Sequence, residues 1–180
     1  AWIRFWRPGA LSHTEVTLGS LTFLLRGSRL SERIVDLYMA VSCVIDKQYN
    51  PPGFEISENA TVLDIGGHIG SFALQAAKSA REGHVYVYEP DPQNFAMLQK
   101  NRAANNLTNV TPLPIAVSGS RGERSFYRNP LNSAESGLFG AEAESYKIPV
   151  PSISLRDVFE QQKLSSCDFL KLDCEGAEYE

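Results

Sequence analysis

A glycine-rich turn around residue 66 is the segment best suited to hold a cofactor. The run 61–65 is β-branched and apolar except for Asp64, as in a strand buried on both faces. Apolar residues then recur at three- and four-residue spacing and predict a helix. They are Ile69, Phe72, Ala73, Ala76, Ala77 and Ala80. Gly83 is the predicted left-handed C-cap of this helix. Between strand and helix, Gly66, Gly67 and Gly70 allow the backbone to approach a bulky ligand, and the helix N-terminus offers unpaired N–H groups.

A carboxylate follows the next predicted strand. Residues 84–88 alternate in the manner of a strand, and Glu89 comes directly after them, about twenty residues beyond Gly70. An ionised carboxylate only accepts hydrogen bonds, so it can bind both vicinal hydroxyl groups of a ribose. Asp91 and Pro92 are then the N-cap and first residue of a second helix. We therefore predict that Glu89 binds a ribose.

A third group of polar residues comes near the end of the chain. A predicted strand over 168–173 leads into three carboxylates, at Asp173, Glu175 and Glu178. Ligands of open α/β sheets bind beyond the carboxyl ends of the strands, so these side chains are expected at the same crevice. Closely spaced carboxylates repel one another, which raises one pKa and produces a usable base. A Mg²⁺ site and a solvated acidic turn are the two alternatives.

The spacing of the turn distinguishes between cofactors. A dinucleotide fingerprint needs glycine at positions 65, 67 and 70, and position 65 is Ile. The spacing of Asp64, Gly66 and Gly70 is instead similar to the first motif of class I methyltransferases, with His68 in place of the usual middle glycine. That loop wraps the methionine part of S-adenosylmethionine.

Several motifs in order resemble FkbM-type methyltransferases. They lie at 49–54, 64–70, 88–92, Phe95, Asn101, 116–118 and 170–178. The resemblance implies a three-layer Rossmann-like α/β sheet with strand order 3-2-1-4, and S-adenosylmethionine-dependent methylation of a hydroxyl group on a small molecule or carbohydrate. It also implies the site residues: Asp64, Gly66, Gly67, His68, Gly70, Glu89 and Pro90 for the cofactor, and one of Asp173, Glu175 or Glu178 to orient or deprotonate the acceptor. His68 stands where the family commonly has Asn; both side chains can donate a hydrogen bond.

Composition limits the other classes of function. The 180 residues carry a formal net charge of −4 with scattered Lys and Arg, which disfavours nucleic-acid binding. No apolar stretch reaches the length of a membrane helix, and no signal peptide is evident. Three unpatterned cysteines indicate reduced thiols and a cytoplasmic protein. We expect no resident metal.

The N-terminal part, residues 1–50, is expected to cover the domain formed by 51–180. Strands around 15–18 and 21–25 predict a hairpin. A helix is predicted from an N-cap at Ser31 to about residue 46. Its predicted buried face consists of Ile34, Leu37, Tyr38, Val41 and Ile45. Residues 129–147 have the composition of a mobile loop or lid.

The predicted sheet has four of the seven strands of a class I methyltransferase, so the fold is expected to be incomplete at its C-terminus. The strand over 168–173 would then form an open edge; either the N-terminal segment covers it or two copies pair there as a homodimer, and we favour the homodimer. A non-catalytic cofactor-binding or interaction fragment is the alternative function.

Overall fold

The computed structural model describes residues 13–27, 29–129, 136–138 and 146–174. The strands are β1 His13–Leu18, β2 Leu21–Arg26, β3 Thr61–Ile65, β4 His84–Tyr88, β5 Val110–Leu113, β6 Ala116–Val117, β7 Gly122–Arg128, β8 Tyr146–Ile153 and β9 Phe169–Leu172. The helices are α1 Leu30–Val44, α2 Ser71–Ser79, α3 Pro92–Ala104 and α4 Leu155–Gln162. Among the described residues, no helix has both the length and the apolar character needed to cross a bilayer.

A parallel sheet is the centre of the fold. Its strand order is β5-β4-β3-β9, which is the predicted order 3-2-1-4. Ile65 at the end of β3 pairs with Tyr88 of β4 on one side and with Leu172 of β9 on the other. The carboxyl ends of these three strands therefore meet at one edge of the sheet, where open α/β sheets bind their ligands.

Side chains alternate between the two faces of this sheet and pack against separate layers. Val62 faces a core shared with α2, α3, α1 and the β1–β2 hairpin. Leu63, the next residue, faces a second core with Val158 of α4 and Ile153 of β8. Both faces are thus covered, which explains why β3 reads as an apolar run. The three-layer α/β fold is confirmed.

The N-terminal segment forms the predicted hairpin and helix, with two differences in the helix. Helix α1 begins at Leu30 with Arg29 as its N-cap, instead of an N-cap at Ser31. The predicted buried face is correct for Leu37 and Val41, which pack against the main core, and wrong for Ile34 and Tyr38, which are 58% and 64% exposed. Its buried residues include Asp36, Ala40 and Cys43. The buried face of the helix includes Asp36, which pairs with the buried Arg26. Apolar periodicity alone cannot reveal such a pair.

Gly83 is required for a different reason than the predicted C-cap. Helix α2 has Ala80 as its C-cap, and Gly83 is not among the residues with positive φ. A Cβ on Gly83 would lie 2.1 Å from the carbonyl oxygen of Ala60. The glycine therefore allows two backbone segments to pass in close contact.

A smaller sheet follows β5 along the chain. Strand β6 lies outside the central sheet and pairs parallel with β8, and β8 pairs antiparallel with β7. Ser154 and Asp157 form a capping box at the start of α4. The predicted lid over 129–147 lies largely outside the described residues. Strand β9 is an edge of the central sheet within the described part, and Leu172 on it is 44% exposed.

Candidate functional site

A cleft opens at the carboxyl ends of β3, β4 and β9. Polar groups on its lining come from His68, Glu89 and Asp173, one after each of the three strands. Apolar lining residues include Pro90, Val117, Phe126 and Leu138. A concave site with apolar walls and a few convergent polar groups is the usual form of a small-molecule site.

The turn after β3 is folded back onto the end of β4. The N–H groups of Gly66 and Gly67 both donate to the carbonyl oxygen of Tyr88, at 3.0 Å each. Gly66 has φ of +84° and Gly70 has φ of +89°, in the left-handed region that favours glycine. The turn therefore presents a fixed backbone to the cleft.

The three glycines also serve the packing of the protein itself, and their role in cofactor binding stays a prediction. A Cβ on Gly66 would lie 1.8 Å from the carbonyl oxygen of Asp173. A Cβ on Gly67 would lie 2.2 Å from Val87 Cγ2, and one on Gly70 would lie 2.9 Å from Leu74 Cδ1. Of the three, only Gly66 is in the lining of the cleft. The small side chains let the turn approach the neighbouring strands and α2.

Glu89 lies at the base of the cleft with both oxygens hydrogen-bonded to backbone. Oε2 accepts the N–H of His68 at 2.7 Å, and Oε1 accepts the N–H of Asp91 at 2.8 Å. The Asn94 side-chain amide donates to Oε1 at 3.4 Å. Burial raises the pKa of Glu89 to about 8, although the backbone donors oppose the shift. The carboxyl group is held rigidly, with its position in the cleft as predicted.

Asp64, predicted to bind the cofactor, lies beneath the turn instead of in the cleft. It is fully buried, and its Oδ1 accepts from Lys171 Nζ at 3.0 Å. Lys171 also donates to the carbonyl oxygen of Gly66 at 2.8 Å. Burial lowers the pKa of Lys171, but the Asp64 and Asp173 carboxylates outweigh it and raise the pKa above its ordinary value. The pair supports the turn from below.

Asp173 follows β9 and lines the cleft as predicted. Its N–H donates to the carbonyl oxygen of Ile65 at 3.1 Å, and its Oδ2 accepts the hydroxyl group of Tyr49. Burial and this hydrogen bond to Asp173 raise the pKa of Tyr49. The other two predicted catalytic carboxylates, Glu175 and Glu178, lie outside the described residues.

Sequence analysis missed several residues around the cleft. Tyr49 belongs to a segment that resembles the family, but nothing in its spacing connects it to a carboxylate more than one hundred residues later. Asn94 and Arg26 were missed because each acts through side chains far away in sequence. In the part of the chain that is described, no group of three His, Cys, Asp or Glu residues could hold a metal ion.

Comparisons with known proteins agree in the class of protein they find. The family profile described as Methyltransferase FkbM domain matches residues 64–180. Methyltransferase 1 of Beauveria bassiana is 24% identical over 153 residues, covering 74% of this chain and 61% of the relative. Methyltransferase sdnD of Sordaria araneosa is 24% identical over 155 residues, covering 69% and 60%. The chain thus spans about three fifths of the length of these curated relatives.

Among solved structures, the methyltransferase FkbM from Methylobacillus flagellatus aligns with a TM-score of 0.47 and 15% identity. The alignment covers 82% of this chain and 38% of that protein. The M. jannaschii TYW2 structure in complex with AdoMet aligns with a TM-score of 0.45 and 15% identity, covering 83% and 91%.

Proposed function

Because the chain belongs to the FkbM methyltransferase family, we propose that its cleft binds S-adenosylmethionine and that the protein methylates a hydroxyl group of a small molecule or carbohydrate. The observation that carries this proposal is the buried carboxyl group of Glu89 at the base of a cleft with apolar walls. The two backbone hydrogen bonds use one acceptor position on each of its oxygens. A carboxylate has about four such positions, and the Asn94 amide takes a third at 3.4 Å, so one position remains on Oε2 and a second ribose hydroxyl group would share Oε1 with Asp91 and Asn94.

The cleft suits the other parts of the same ligand. Pro90, Val117, Phe126 and Leu138 give it apolar surface against which a flat aromatic base can pack. The Gly66 and His68 backbone borders the same space. When bound, the sulfonium supplies an already activated methyl group, so positioning accounts for much of the catalysis.

Asp173 is the residue we propose to act on the acceptor. Tyr49 donates to Oδ2 of its carboxylate, which fixes the side chain and leaves Oδ1 as the oxygen that can accept a hydroxyl proton. Oδ1 would receive the hydroxyl proton of the acceptor as the methyl group moves from the cofactor sulfur to the acceptor oxygen, with the S–C bond breaking and a neutral thioether leaving. Glu175 and Glu178 remain predictions for the same role.

Calorimetry with S-adenosylmethionine tests the proposal. We expect Glu89→Ala to weaken binding by about 1.5–3 kcal/mol, the range for hydrogen bonds to a charged group. Glu55→Gln, which changes an exposed carboxylate, is the matched control and should bind like the wild type. Equal dissociation constants for a folded Glu89→Ala variant and the wild type would refute the ribose role.

A methyl-transfer screen with sugars and hydroxylated small molecules separates the two functions considered from the sequence. Transfer that is lost in Asp173→Asn, with cofactor binding retained, supports an O-methyltransferase. Binding without any transfer would favour the non-catalytic alternative. The cytoplasmic location and the absence of a nucleic-acid partner also stay predictions.

A further inference from the structure

The guanidinium group of Arg26, at the end of β2, is buried beside the cofactor turn. The residue is only 6% exposed. Its Nε donates to both oxygens of Asp36, at 3.1 and 3.0 Å, and its backbone N–H donates to Oδ2 at 2.8 Å. A buried charge is tolerated only when it is paired in good geometry, so Asp36 fixes the plane of the guanidinium.

The other two nitrogens of this group reach residues of the proposed cofactor site. Nη1 donates to Asn94 Oδ1 at 2.8 Å, and Nη2 lies 3.0 Å from His68 Nε2. Arginine can only donate, so Nε2 of His68 must be the acceptor and the neutral ring carries its proton on Nδ1. Burial and the charges of Arg26 and Lys171 hold the pKa of His68 well below its usual range.

Both contacts lead to the same carboxyl group. His68 has φ of +49°, a costly conformation for a residue with a side chain, and its backbone N–H donates to Glu89 Oε2. Because Asn94 Oδ1 accepts from Arg26, its amide nitrogen faces Glu89 Oε1 at 3.4 Å. The guanidinium therefore fixes the residues that bind Glu89 on both of its oxygens.

We propose that Arg26 is a positioning residue of the cofactor site, and that the N-terminal hairpin and α1 thereby complete this site instead of only covering the sheet. The inference rests on the proposed function, since it assigns Glu89 to the ligand. A purely structural role for Arg26 would not make the protonation state of the His68 ring and the affinity for ligand depend on this side chain, which lies 42 positions before His68.

Three variants test the proposal, with 5′-methylthioadenosine as the probe because it contains the ribose without the amino acid. We expect Arg26→Met to raise the dissociation constant about 10- to 100-fold, the equivalent of lost charged hydrogen bonds. Arg26→Lys should recover part of the lost affinity, because a single ammonium group cannot replace all three guanidinium nitrogens that make these contacts. Arg81→Met removes an arginine that is 71% exposed, and it should bind like the wild type.

Nitrogen NMR of the imidazole rings supplies a readout that general destabilisation does not move. The chain has three histidines, so the spectrum is simple to assign. In the wild type we expect a neutral His68 ring protonated on Nδ1. In Arg26→Met, Asp36 loses its cation while His68 Nε2 is 3.9 Å from Asp36 Oδ1. The pKa of His68 should then rise relative to the wild type, because the charge of Arg26 is gone and the Asp36 carboxylate beside the ring is unpaired, while burial and Lys171 still oppose the charged ring.

The double variant Arg26→Met with Asp36→Leu removes both charges and guards against misfolding of the single variant. We expect it to fold, to keep His68 neutral and to bind the probe about 10-fold or more weakly than the wild type. A folded double variant with wild-type affinity would overturn the proposal, as would an unchanged His68 ring in Arg26→Met. If the wild type itself failed to bind the probe, the proposed function would fail instead, and the ring measurement would still report on Arg26.

Discussion

The ionisation of Glu89 should make ligand binding depend on pH in a direction set by the structure. In the free protein its pKa is about 8, so the carboxyl group is protonated at lower pH. Two ribose hydroxyl groups, two backbone N–H groups and the Asn94 amide would all donate to this carboxyl group, and only the ionised form, which carries no proton of its own, can accept from all of them. Binding below pH 8 must therefore release one proton.

The magnitude follows from linkage. Each pH unit below the pKa weakens binding about tenfold, or about 1.4 kcal/mol, so the dissociation constant should fall about 100-fold from about pH 6 to about pH 9. Calorimetry with 5′-methylthioadenosine measures this, because that ligand has no group that titrates in the range. In Glu89→Gln the pH dependence should vanish along with much of the affinity.

Stability should change in the opposite direction. The pKa of Glu89 is raised on folding from a model-peptide value of 4.5 to about 8. Its contribution to the free energy of unfolding is therefore fully present below about pH 4.5 and is lost as the pH rises through about 8. Urea unfolding should show the wild type losing stability over this window relative to Glu89→Gln. An equal dissociation constant at pH 6 and pH 9, or parallel pH profiles for wild type and variant, would refute the reasoning.

Three further results are expected. Gly66→Ala should lower the free energy of unfolding by about 3 kcal/mol, and Gly53→Ala, with similar φ but open space around its Cβ, by about 1 kcal/mol; equal losses in urea titrations would contradict the close-approach argument. Lys171→Met should cost about 3–5 kcal/mol by leaving a buried carboxylate unpaired, and adding Asp64→Leu should restore most of it, which thermal unfolding can check. Self-association through β9, if light scattering detects it across a dilution series, should be lost in Leu170→Lys; a dimer that persists in this variant would place the interface elsewhere.

Three features are predictable from local sequence patterns: the strand–turn–helix around residue 66, the helix start at Asp91 and the place of Glu89 after β4. These features depend on local periodicity, turn residues and capping, which act over a few positions. The strand order was also predictable, because the ordered motifs resemble a family with one topology. The observed sheet, β5-β4-β3-β9, agrees with it.

Which polar residues face the cleft depends on tertiary contacts between segments that are far apart in sequence. Asp64 sits in a glycine motif, but Lys171, 107 positions later, holds it beneath the turn. The buried face of α1 was partly mispredicted because Asp36 is buried where its carboxylate pairs with the Arg26 guanidinium, against the apolar pattern. A buried charge must find its partner wherever the fold brings one, and no local pattern records a contact between residues so far apart in sequence.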